Sequence, residues 1–395
     1  MSTGPQLPVP IAEIARQWGR IGTIGFGGPP AHVSLLREMC VDRRGWIGAR
    51  QFEDAIAATN LLPGPASTQL AIFCAWRLRG ALGAVVGGLC FIGPGLVLIL
   101  ALAALFLTGT PPAWLRGAGA GAGAAVAVVA VDAGARLILP TWRRVGARQR
   151  PRVVAYAALG AIAAATLGPW LVLVLLACGA AETVGRRAAP RGRATPPGRL
   201  GSLHPGALLL SAGTAASAGG LAALSWTALK VGALSYGGGF VIIPLMQADV
   251  VRNGWMTDGE FLNAVALGQV TPGPVTHTVA VVGYAAAALP GGLLAATLAF
   301  APSFAFILIG ADRFDRLIAD RTVRAFLDGA GPAAVGAILG SSIPLALALE
   351  EPWQWAVLAG AAVMMLAGRR GVVLTLLVAG AAGAAVGLAG GPLPI

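Results

Sequence analysis

The sequence predicts an all-α integral membrane protein built from two inverted-topology repeats with broken or re-entrant helices. Three observations carry that reading. Of 395 residues, 56% are hydrophobic and only 11% charged, with mean hydropathy +0.77; a soluble protein carries about 25% charged residues. A Pro-Gly-Pro unit occurs twice inside apolar sequence, at Pro63-Gly64-Pro65 and Pro272-Gly273-Pro274. The residues around the first copy recur in order around the second.

Neither Pro-Gly-Pro unit can be continuous helix. Proline removes an amide donor and clashes with the preceding turn, while glycine admits unusual backbone angles. Such a break is tolerated in a bilayer only where protein or a water-filled cavity surrounds it. The helix that restarts after the break presents free backbone N–H groups, which favour anions. Each copy therefore reads as half of a membrane-buried anion site.

The elements follow in order. An amphipathic start covers 8–25, with a glycine break at 25–30 and a polar stretch at 37–50. Two short helical pieces, 51–62 and 65–79, flank the first Pro-Gly-Pro. Long apolar segments run 81–108 and 112–139. Residues 153–181 form a hairpin of two short helices turning at Gly168-Pro169, since about 20 residues span the hydrocarbon core. The second half repeats the plan. It has 207–247 with a break at Gly237-Gly238-Gly239, a polar stretch 249–260, short pieces 260–270 and 274–288, and segments 289–310, 324–347, 353–368 and 371–389. Thr257 and Glu260 have the spacing of a capping box, which starts a helix at 258. The total is roughly 10–13 membrane segments.

The duplication is visible by alignment. Phe26-Gly27-Gly28-Pro29 matches Tyr236-Gly237-Gly238-Gly239 at an offset of 210. An offset of 209 then pairs Trp46 with Trp255, Phe52 with Phe261, Asn60 with Gln269, and the two Pro-Gly-Pro units. This divides the chain into repeats 1–182 and 207–395 joined by a linker, 183–206, rich in Arg, Pro and Gly. Equivalent loops carry opposite charge. Arg37–Arg50 holds four arginines against Glu38 and Asp42, whereas 249–260 holds Arg252 against Asp249, Asp258 and Glu260. The loop 108–116 has one arginine, its counterpart 311–324 four. By the positive-inside rule the repeats insert upside down relative to each other, which is the plan of a secondary transporter with its site between the repeats. The net charge of +12 sits in a few loops and reads as an orientation signal, not a nucleic-acid surface. Four scattered cysteines suggest neither a disulfide framework nor a metal site.

On Phe26-Gly27-Gly28-Pro29, Trp46 to Phe52, Asn60 with Pro63-Gly64-Pro65, and their second-half copies, the chain resembles the chromate ion transporter family, in its long two-half form. The resemblance covers nearly the whole chain. It implies export of chromate across a bacterial inner membrane, driven by the proton motive force and giving chromate resistance. Sulfate is the look-alike oxyanion. The partners implied are chromate or sulfate, protons and the lipid bilayer; a homodimer is left open, and no cofactor, metal or nucleic acid is expected.

A tetrahedral dianion needs amide or hydroxyl donors and one or two cations. Arg20 and Lys230 occupy matched positions one turn before the glycine breaks, and an intramembrane cation is a functional candidate by default. Snorkelling to the interface is the competing account, stronger for Arg20 than for Lys230. Ser67, Thr68 and Gln69 follow the first break; Thr276, His277 and Thr278 follow the second. Asn60 and Gln269 precede the breaks, where they serve either the anion or the backbone groups freed by the prolines. Gly27, Gly28, Gly237, Gly238 and Gly239 supply backbone nests or close helix crossings, and Gly64 and Gly273, inside the breaks, are further substrate-binding candidates. Of the acids, Asp132 pairs by default with Arg136 at i,i+4, and Glu53, Asp54 and Asp328 carry no distinguishing signal. No nucleophile–base pair, metal constellation or phosphate loop points to an enzyme. A transporter of sulfate or another oxyanion, or an anion channel, is the alternative.

Overall fold

The computed structural model describes residues 9–59, 64–107, 111–146, 149–167, 170–188, 220–235, 241–310 and 320–394. Asn60, Pro63, Gly237, Gly238, Gly239, the Gly168-Pro169 turn and most of the predicted linker lie outside these. Among the described residues the chain is helical, with no strand. Four stretches of the described residues are long and apolar enough to cross a membrane: Ala66–Leu107, Ala113–Leu139, Val275–Gly310 and Arg321–Leu347.

The first half opens with α1 (Ile11–Ile24), whose buried Ile14, Trp18 and Ile21 recur at helical spacing. The Trp18 indole donates to the Ala71 carbonyl at 2.8 Å, which fixes α1 against the long helix α4 (Ala66–Leu107). Between them lie α2 (Pro29–Arg37), continued by a π-helical turn Glu38–Arg43, and α3 (Ala49–Thr59). Then come α5 (Ala113–Ala124), α6 (Val126–Arg144), α7 (Arg150–Thr166) and α8 (Leu171–Ala188). In the second half, α9 (Leu221–Leu234) packs on α12 (Thr278–Gly310) as α1 packs on α4. Between them are α10 (Ile242–Arg252) and α11 (Asp258–Val270). α13 (Arg321–Leu347), α14 (Pro352–Ala362) and α15 (Val372–Leu388) complete the chain.

The halves share backbone detail beyond residue identity. α4 is broken at Arg79 (φ −146°, ψ 26°) and Gly80 (φ 57°, ψ −147°). α12 is broken the same way at Ala287 (φ −154°, ψ 39°) and Ala288 (φ 50°, ψ −150°). A positive φ costs an alanine about 1–3 kcal/mol, so the surrounding packing, not a local glycine, imposes the second break. Trp46 and Trp255 are half-buried, and Phe52 and Phe261 are fully buried. α4 and α12 lie against each other and join the halves.

Several predicted boundaries are corrected. The polar stretch 37–50 is helical through Arg43, because its apolar residues Met39 and Cys40 are buried. The stretch 249–260 begins inside a helix, since α10 runs to Arg252; Asp249 is therefore a buried helical residue and not a loop charge. The linker's first residues, through Ala188, continue α8, where Arg186 pairs with Glu182 at 2.8 Å and Asp328 at 2.8 Å. The capping box appears where predicted: Glu260 N donates to Thr257 Oγ1 at 3.2 Å and Thr257 N to Glu260 Oε2 at 2.8 Å.

Small residues set the helix crossings, as expected where lipid-immersed helices gain by close approach. A side chain at Gly160 in α7 would strike the Ala333 carbonyl of α13, and one at Gly336 in α13 would strike the Ala157 carbonyl of α7. Gly117 in α5 and Gly383 in α15 stand in the same relation. Overpacking of this kind costs about 1–3 kcal/mol. Gly336→Leu is expected to lower the thermal midpoint of the detergent-solubilised protein by several degrees, while Gly185→Leu, with open space around it, leaves it unchanged. Equal midpoints for the two variants would refute this account of the α7–α13 crossing.

Candidate functional site

The two Pro-Gly-Pro loops are held by reciprocal hydrogen bonds. Gly64 N donates to the carbonyl of Ser235, the C-cap of α9, at 3.0 Å. Gly273 N donates to the carbonyl of Gly25, the C-cap of α1, at 3.0 Å. Gly25 and Ser235 are equivalent positions at the offset of 210, so each loop hangs on the same atom of the opposite half. Both glycines need positive φ, +121° at Gly64 and +95° at Gly273, which an L side chain adopts only with strain.

A second link ties the loops to each other. His32, in α2, has Nε2 at 2.9 Å from the Gly25 carbonyl and Nδ1 at 3.2 Å from Ser67 Oγ. A carbonyl only accepts, so Nε2 carries the proton; in the neutral ring Nδ1 then accepts from the serine hydroxyl. A continuous path therefore runs from the helix start after the first break (Ser67) through His32 and the Gly25 carbonyl to Gly273 N of the second. His32 packs edge-on to Phe91 (5.1 Å, 84°), and His277 packs edge-on to Phe300 (5.3 Å, 73°). Phe91 and Phe300 are equivalent at the offset of 209. The sequence reading missed His32. Its signal was a histidine within an apolar stretch of a chain that has three histidines.

Around these links lie buried donors. Ser67, Thr68, Gln69, Thr276, His277, Thr278 and Gln269 are all buried. The hydroxyls of Thr68, Ser235, Thr276 and Ser303 and the amide nitrogen of Gln269 have no hydrogen-bond partner among the described residues. Thr278 instead donates to the Val275 carbonyl at 2.8 Å. Gly28 is buried, with Val275 close by, whereas Gly27 is exposed. Pro65 and Pro274 accept the first backbone bonds of the restarting helices, from Gln69 N at 3.0 Å and His277 N at 2.9 Å. Pro272 is packed against Gly95 of α4. The result is two helix N-termini, an uncharged set of hydroxyl and amide groups, and no competing carboxylate among them.

The charged candidates are not among these donors. Lys230 is buried and ion-paired with Asp249 of α10, which also accepts from Thr227 at 3.0 Å. Removing one partner of a buried pair costs about 3–5 kcal/mol because the other charge is left uncompensated. Loss of function in Lys230→Ala would therefore not by itself mark a ligand. Arg20 is exposed and lines a separate cavity. Asp132 pairs with Arg136 at 2.7 Å and Glu53 with Arg37 at 3.4 Å.

The model of the family described as "Chromate transporter" matches residues 12–183 and 222–385. The chain belongs to the chromate transporter family. The chain is similar to the chromate transport protein of Pseudomonas aeruginosa, 31% identical over 87% of this chain and 83% of that one. It is 30% identical to the chromate transport protein of Cupriavidus metallidurans over 97% and 94% of the two chains. A probable chromate transport protein of Synechococcus elongatus is 27% identical over 85% and 84%. No solved structure matches. This family member is a multi-pass membrane protein of helices, and its family match falls on both halves that meet at the Gly25 and Ser235 carbonyls.

An unpartnered buried hydroxyl costs about 1–3 kcal/mol. Thr68→Val and Thr276→Val, near-isosteric and unable to donate, are expected to hold or raise the thermal midpoint while lowering oxyanion flux at least tenfold. Unchanged flux in both variants would remove these hydroxyls from the site.

Proposed function

We propose that this chain exports chromate, a tetrahedral dianion, across the bacterial inner membrane through a site formed by both repeats, and so confers chromate resistance. The observation that carries this reading is the reciprocal pair of hydrogen bonds at Gly25 and Ser235, which sets two helix starts with unpartnered hydroxyls into one buried region. Helix N-termini and neutral donors suit an anion that must bind and then leave. A full cationic clamp would hold it too long. The named activity of the relatives supports the same substrate.

Export has a natural driving force. Moving one charge through 100 mV is worth about 2.3 kcal/mol, so a dianion leaving a negative-inside cell gains about 4.6 kcal/mol per 100 mV from the same relation. The potential component of the proton motive force alone therefore favours export. We read the repeats as inverted in the membrane, supported by the opposite loop charges and the matched breaks, with rocking of one repeat against the other giving alternating access. Shape and charge recognition by hydroxyls also admits sulfate.

The test is uptake into inside-out vesicles with an imposed interior-positive potential, a pH gradient, or both, with and without excess sulfate. Gradient-dependent chromate accumulation that sulfate suppresses is the expected result. Accumulation of sulfate alone would reassign the substrate, and chromate accumulation that follows the potential but is indifferent to the pH gradient would leave the protein a channel, since a potential alone concentrates a dianion through an open pore.

A further inference from the structure

Arg20 and Lys230 are equivalent residues with opposite surroundings. Lys230 is buried against Asp249. At the same offset the counterpart of Asp249 is Met39, so the aligned position in the first half is not an acid. Arg20 instead faces a cavity of about 260 Å³ lined also by Arg43, Arg44, Glu38, Ile21 and Ile24. Arg20 has no ion-pair partner among the described residues. The other two arginines are positioned: Arg43 by Glu38, and Arg44 by Glu13 at 2.8 Å and by the Trp46 ring, 5.5 Å away. Three arginines line the cavity against one glutamate, an excess of two charges that matches a dianion; Arg16, 3.6 Å from Glu13, is not part of the lining. The cavity lining stops one residue along the chain from the crossing. Ile24 lines it, and the next residue, Gly25, is the carbonyl on which the second Pro-Gly-Pro loop hangs.

We propose that this cavity is a capture site for a free tetrahedral dianionic oxyanion, with Arg20 as its uncommitted cation, from which the ion passes along the end of α1 to the crossing. The inference rests on the oxyanion-transport reading above and adds where the ion first binds. It assigns the two matched cations different work: the arginine receives the anion, and the lysine neutralises a buried aspartate. A phospholipid phosphate shares the chemistry, but a bulky monoanionic diester uses neither the second charge nor the small volume.

The experiment compares wild type with Arg20→Gln, Arg20→Lys and Arg16→Gln, reading initial chromate flux against concentration and sulfate binding to protein in zwitterionic-lipid nanodiscs. Removing one cation from beside a dianion in a hydrated cavity is expected to raise KM about tenfold with kcat within about twofold of wild type. Arg20→Lys restores most of the affinity, Arg16→Gln leaves KM unchanged, and added salt raises KM more in wild type than in Arg20→Gln. A KM for Arg20→Gln within about twofold of wild type, or a fall in kcat at constant KM, would overturn the proposal. So would phosphatidylglycerol that co-purifies with wild type and is lost in Arg20→Gln while sulfate affinity stays the same. If wild type shows no flux at all, the transport reading fails separately; sulfate binding weakened by Arg20→Gln still supports the cavity, and equal binding overturns it.

Discussion

Two amide-to-carbonyl hydrogen bonds cross between the halves at the Pro-Gly-Pro loops, Gly273 to Gly25 and Gly64 to Ser235. Each joins a loop that cannot be helical to a helix end that has run out of internal partners. Proline and glycine leave backbone groups unpaired inside apolar surroundings, and a bilayer supplies no water to satisfy them. The opposite half supplies the carbonyl. The same need for backbone satisfaction that forbids loops in lipid therefore ties the repeats together where an anion could be read.

The rest of the fold serves that crossing. α4 and α12 carry both breaks and the two phenylalanines that wall the histidines, and α1 and α9 end at the accepting carbonyls. Small residues let the outer helices approach to backbone contact, as Gly160 and Gly336 do between α7 and α13. Charge is kept out of the centre. Lys230 is neutralised by Asp249, and Arg20 stands at the cavity beside α1. Such a division leaves neutral donors for the site, consistent with a ligand that must dissociate.

Much of this was legible in the sequence because it depends on local chemistry. The Pro-Gly-Pro breaks follow from the backbone limits of proline and glycine, the capping box at Thr257 from spacing, and the pairing of Phe52 with Phe261 from recurrence. What was missed depends on contacts between distant elements. Asp249 counted as a loop charge because one-dimensional reading could not see that α10 carries it to Lys230. His32 went unremarked because its partners, Gly25 and Ser67, converge only in three dimensions. Arg20 stood as a cation candidate with snorkelling as the competing account, and nothing along the chain discloses the cavity that it lines. The sequence also gave no warning that Ala288 would adopt a conformation that Gly80 takes without cost.

The most direct test of the central claim is to locate the ion. In crystals of the protein grown with chromate, the anomalous signal of chromium should lie beside the Ser67–His32–Gly25–Gly273 path, within hydrogen-bonding reach of Thr68 and Thr276. Chromium found only elsewhere at saturating chromate, with none at the crossing, would contradict the account.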